Sequence, residues 1–192
     1  MNMLKGTIIM LLCIYAVKGI EYIVSKISKY KHKDEQILID ITKERIENMT
    51  GYEFEAFCKW LFEASGDYSS VELTEYKNDE GKDLILTCDD GEEIFVECKR
   101  YNSESEEELK HVEEEDFVIG RVICQKLVGA MVSESIKKGI IITTGSIHKN
   151  ATEYINKLHK NSDIRISIMT MEDIVKLMEE NKEKGASVTI TV

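Results

Sequence analysis

At 192 residues the chain is long enough to bury a substantial core and short enough to hold one domain with an appendage. Its five cysteines, at 13, 58, 88, 98 and 124, stand singly, which argues against a disulfide framework or a zinc ribbon and suits a reducing compartment. The net charge of -11 excludes a broadly basic surface for nucleic acid.

That charge is uneven. "SESEEELKHVEEED", residues 103–116, holds eight acidic residues and one lysine, a net of -7, and leaves about -4 for the rest of the chain. Like charges at this density repel, so the block reads as a solvated acidic loop.

In chain order, residues 1–25 come first. Gly6 to Val17 is free of charge, shorter than the roughly 20 residues of a spanning helix. With Lys18 snorkelling and pairing with Glu21, the segment reaches spanning length as a single N-terminal hydrophobic helix. A cleaved signal peptide and a soluble amphipathic helix are the rival readings. Lysines 26, 29, 31 and 33 follow the apolar run, so a transmembrane anchor would leave the rest of the chain facing the cytoplasm. Residues 26–49 then form a charged helical connector, and 50–192 the folded domain.

Thr50 is placed to cap a helix whose apolar positions Phe54, Phe57, Cys58, Leu61 and Phe62 follow a 3.6-residue period, closed by Gly66. A strand at Val71–Tyr76 follows. Next comes a hairpin, Leu84–Cys88 and Glu93–Cys98, turning at Asp89-Asp90-Gly91. Beyond the acidic block the pattern predicts a helix over Val118–Lys138, ending at Gly139. The apolar strand "IIITT", a helix over His148–Lys160, the strand "IRISIMT" and a last helix in "MEDIVKLMEENKEK" come after it, with "SVTITV" as an edge strand. Strands alternating with helices imply an α/β fold with helices on both sheet faces.

The hairpin carries the chemistry. Glu97 and Lys99 share one face of the second strand, and pairing around the turn brings Asp83 to that side. Two carboxylates in proximity repel unless a cation lies between them, and oxygen ligands, including the backbone carbonyl of Cys98, select a hard ion such as Mg²⁺. The same residues also read as a cross-strand charge ladder beside a Gly-x-Asp turn. Trp60 falls on the apolar face of its helix, and the four histidines lack ligand spacing.

"GYEFEAFCKWLFEASG", "NDEGKDLIL", "IFVECKRY" and "VGAMVSESIKKGIIITTGSIHKNATEYI" stand in an order that resembles the Mrr-type restriction endonuclease domain. That family is a branch of the PD-(D/E)xK nuclease superfamily, and the likeness runs from about Gly51 to Leu177. It implies a restriction-endonuclease-like central mixed β-sheet flanked by helices. It also implies Asp83 and Glu97 as metal ligands and Lys99 as the catalytic lysine. Glu55, from the Phe-Glu pair of the first helix, would help hold the metal or its water. Gln125 corresponds to a polar helix residue facing the site, and Thr143, Thr144, Ser146 and Lys149 are candidates for phosphate contact. The activity implied is Mg²⁺-dependent hydrolysis of DNA, with Mn²⁺ able to substitute; apart from the resemblance, cutting both strands would call for two active sites, and so for a homodimer. A non-catalytic interaction module that keeps the fold at the membrane is the alternative.

Overall fold

The computed structural model describes residues 18, 20–26, 28–29, 42–74, 81–101 and 118–185. The chain divides into two units, Met1–Thr42 and Lys43–Val192. In the first, the described residues are helical, exposed between 18 and 29 and half-buried at Thr42. Among the described residues no helix is long and apolar enough to cross a membrane. Most of the expected anchor, much of the expected connector, the acidic block at 103–116 and the expected edge strand in "SVTITV" lie outside them.

The second unit begins with a helical turn at 43–47, in which Ile46 is fully buried. Helix α1, Gly51–Ser65, starts where a capping box forms: Thr50 Oγ1 accepts from the Glu53 N–H, and the Glu53 carboxylate accepts from the Thr50 N–H. It stops at Gly66, whose left-handed φ of 70° suits a residue without Cβ. Its stripe of Phe54, Phe57, Cys58, Leu61 and Phe62 is buried, each large apolar side chain contributing roughly 1.5–3 kcal/mol. Trp60 is half-buried and stacks on Phe57 at 6.0 Å.

Five strands form one sheet: β1 (Ser70–Leu73), β2 (Leu84–Thr87), β3 (Glu93–Lys99), β5 (Lys138–Thr143) and β7 (Arg165–Met169), in the order β1-β2-β3-β5-β7. The first two pairings are antiparallel and the last two parallel. Each parallel pairing requires a crossover. Helix α2 (Arg121–Ser133) lies in the connection from β3 to β5, and α3 (Lys149–Asn161) in that from β5 to β7. Both pack on one face, where Phe95 and Ile141 of the sheet meet Leu127, Met131, Ala151 and Ile155. Helices α1 and α4 (Met171–Glu183) pack against each other and the sheet, tied by Asn181 Nδ2 donating to the Leu61 carbonyl at 2.9 Å.

The expected helix over Val118–Lys138 divides into three pieces. Val118–Ile119 is strand β4, paired in parallel with β6 (Ser146–Ile147). The helix ends at Ser133, and Ser135 turns left-handed at φ 64°. Lys138 and Gly139 belong to β5, so Gly139 is a strand residue rather than a helix stop. A Cβ on it would lie 2.7 Å from Met131 Sδ, and its bareness lets α2 lie close on the sheet. His148 caps α3, its Nδ1 accepting from the Asn150 N–H at 3.1 Å.

Candidate active site

Asp83 stands one residue ahead of β2. Its N–H donates to the Val96 carbonyl at 2.7 Å, and its own carbonyl accepts from the Thr74 N–H at 3.0 Å. Leu84 pairs with Val96, so the next position outward sets Asp83 opposite Glu97, with side chains on the same face. Asp83 Oδ2 accepts from the Cys98 N–H at 2.6 Å. The carbonyl of Cys98 lies on the same edge of its strand as that N–H.

The electrostatics of the pair are tense. Burial is the first cause that pushes the Asp83 carboxyl up to about 6, and the charge of Glu97 is the second. The Cys98 N–H and the Lys99 ammonium pull it down less strongly, while Glu55 pushes it further up. Glu97 has no solvent exposure, and neither of its carboxylate oxygens has a well-aligned hydrogen bond. Lys99 Nζ lies 2.7 Å from Glu97 Oε1, near enough for an ion pair though not aligned as a hydrogen bond. Oε2 is left facing no donor among the described residues.

Glu55 is half-buried on α1, near enough for its charge to act on both Asp83 and Cys98. Burial and a hydrogen bond with the Cys58 thiol raise the Cys98 thiol well above its usual range. Cys98 therefore keeps its proton and offers the site only backbone groups. Asp83, Glu97 and Glu55 are not all within 4.8 Å of one another; among the described residues the trio that tight is Cys88, Asp90 and Glu92, at the hairpin turn. That trio is otherwise engaged, since Glu92 pairs with Lys138 at 2.7 Å and Asp90 accepts from the Glu92 N–H. A cation taking all three carboxylates at Asp83 would require at least one side chain to rotate.

Gln125 does not join this group; it is exposed on α2. The buried stripe of that helix is Cys124, Leu127, Ala130 and Met131, and at about 100° per residue Gln125 points almost directly away from it. Lys126 flanks the stripe instead, and its Nζ lies 3.9 Å from Glu97 Oε1. Lys82, beside Asp83, is 8% exposed, pairs with Glu134 of the segment after α2 and sits 4.4 Å above the Phe95 ring. The residue reading passed over both lysines. The docking of α2 on the sheet sets Lys126 toward Glu97, and nothing in "GKD" marks Lys82 as buried.

The threonines expected to meet phosphate are occupied otherwise. Thr144 Oγ1 accepts from the Tyr101 N–H at 2.7 Å and donates to its carbonyl at 2.8 Å, tying the exit of β3 to that of β5. Thr143 is buried and accepts from the Gly145 N–H. Ser146 and Lys149 are exposed.

A mixed five-stranded sheet between helices, with acids and a lysine at one end of its antiparallel hairpin, defines a restriction-endonuclease-like fold. A family model described as restriction endonuclease, the Mrr catalytic domain, matches residues 46–178, and the chain belongs to that family. No curated protein matches it. One similar solved structure is the ATP-dependent Type ISP restriction-modification enzyme LlaBIII bound to DNA, at 15% identity and a TM-score of 0.39. The likeness covers 75% of this chain and 8% of that one.

Proposed function

We propose that the chain is a divalent-cation-dependent endonuclease that hydrolyses phosphodiester bonds of DNA. The observation that carries this reading is Glu97, a carboxylate without solvent or an aligned hydrogen bond, set across from an aspartate whose carboxyl is pushed up to about 6 by burial and by the Glu97 charge. A fully buried acid facing a half-buried one is costly to the fold, and a cation between them removes the repulsion. Family membership supports DNA as the substrate.

The donor set fits a hard ion. Asp83 and Glu97 would hold Mg²⁺, with Mn²⁺ able to replace it, and the Cys98 carbonyl and Glu55 offer further oxygen. Such an ion supplies a water of lowered pKa and neutralises charge at the phosphoryl group. Lys99 is one-third exposed, so its ammonium can orient the attacking water and stabilise charge growing on phosphoryl oxygens. Asp83 Oδ2 is held to β3 by the Cys98 N–H, so Oδ1 would be the oxygen offered to an ion. The apolar run at Gly6–Val17 and the lysines after it support a membrane tether with the domain on the cytoplasmic side. Carbonate-resistant sedimentation with membranes tests that part; a homodimer would supply the two sites that cutting both strands needs, which analytical ultracentrifugation tests.

The purified full chain should nick or linearise supercoiled plasmid in Mg²⁺ or Mn²⁺ and do nothing in chelator. Asp83→Ala and Lys99→Ala should each lower cleavage on the order of 100-fold or more while circular dichroism stays native. Cleavage persisting in both variants refutes the site. A chain that cuts nothing and binds no Mg²⁺ at millimolar concentration is instead a non-catalytic interaction module.

A further inference from the structure

We infer that the segment 186–192, which carries "SVTITV", docks on the outer edge of β1 as one more strand of the sheet, running parallel to it. The inference stands apart from the nuclease reading. Among the described residues β1 lies at one edge of the sheet and pairs with β2 alone. Thr74, one step beyond the Leu73–Leu84 pair, donates its N–H to the Asp83 carbonyl. By alternation Ser70 and Glu72 also turn their backbone groups to β2, and the N–H and C=O of Val71 and Leu73 point outward from the sheet. Such an edge is a template for a further strand.

The close of α4 delivers the occupant. Gly185 turns left-handed at φ 93°, its N–H on the Lys182 carbonyl, so the helix stops and the chain is redirected. Just before it, Lys184 Nζ donates to the Ser65 carbonyl at 2.7 Å and lies 3.6 Å from Asp67 Oδ1. Ser65 ends α1 and Asp67 leads into β1 at Ser70, so the chain leaves α4 beside the Ser70 end of that strand. Entry at that end sets the parallel direction. The other edge, β7, is four strand spacings away, about 19 Å. Residues 186–192, at about 3.3 Å each, reach well past the four residues of β1. Their pattern fits the edge: Val188, Ile190 and Val192 alternate with Thr189 and Thr191, all β-branched. Val71 is buried and Glu72 exposed, so β1 offers an apolar face to the first set and a polar face to the second. A segment attached this close acts at an effective concentration roughly in the mM range, which favours it over a second copy of the chain. Thr74 Oγ1 also donates to the Lys82 carbonyl at 2.8 Å, so whatever steadies β1 steadies the turn that delivers Asp83.

Amide hydrogen exchange on the full chain, read residue by residue by NMR, tests the docking. The Val71 and Leu73 amides should be protected, to the same degree at every protein concentration. A second chain carries Thr189→Pro and Ile190→Pro together, which removes a donor from whichever alternate set faces β1. Exchange at Val71 and Leu73 should there speed up roughly tenfold or more, while the Glu72 amide, bonded to β2, stays as protected as before. Equal rates at Val71 and Leu73 in the two chains overturn the inference. Protection that grows with protein concentration overturns it as well and assigns the edge to a second copy.

Discussion

Asp83 makes the site sensitive to pH. Its carboxyl titrates near 6 in the fold against an ordinary value of 3.8, so the native state holds its proton over a window in which the unfolded chain has lost it. The sign follows: stability of the metal-free protein falls as pH rises from about 4 to about 6, by at most about 3 kcal/mol and by less after screening at this partly exposed group. Asp83→Asn should remove that slope, and thermal denaturation in chelator at several pH values measures it. In Glu97→Gln the charge ranked second among the causes is gone, so the Asp83 carboxyl should titrate lower, as read by carboxyl ¹³C NMR. A profile unchanged by Glu97→Gln would mean that the two acids are not coupled as their register implies.

At the scale of elements, the site depends on how three pieces are pinned around β3. Thr144 bonds both backbone groups of Tyr101 and so fixes the chain as it leaves the Glu97–Lys99 strand. Thr144→Val keeps the shape and loses both bonds, with an expected loss of about 1–3 kcal/mol in urea unfolding. Gly81→Ala should cost more than a surface change, about 1–3 kcal/mol, because its φ is positive and the added carbon meets Lys126. The same variant should weaken catalysis, since the displaced turn carries Asp83. Steady-state cleavage beside an unfolding curve distinguishes the two losses.

Over the whole molecule, the electrostatics oppose the proposed substrate. Of the net -11, the block at 103–116 supplies -7. Replacing its eight acids by Gln and Asn should raise affinity for duplex on the order of tenfold at low salt, an effect that fades as ions screen the field. Equilibrium binding at two salt concentrations measures it. An unaltered affinity would mean that the block does not act on DNA at the site.

Much of this architecture was legible in residue order because its signals are local. The Thr50 cap, the 3.6-residue stripe to Phe62 and the stop at Gly66 are properties of neighbours in sequence, and α1 follows them residue for residue. The hairpin was legible as well: alternation together with Asp89-Asp90-Gly91 set a register, and that register alone puts Asp83 across from Glu97. Local signals misled where a residue type has two uses. Gly139 looked like a helix stop and is a strand residue stripped bare for Met131. Gln125 and Lys126 are adjacent polar residues, and only the rotation of α2 onto the sheet turned the second toward Glu97. Sequence by itself determined α1, the hairpin and its opposed carboxylates, since these follow from spacing along the chain. Tertiary packing decided which lysines face that pair and how deeply Glu97 is buried, because these depend on contacts between segments far apart in the chain.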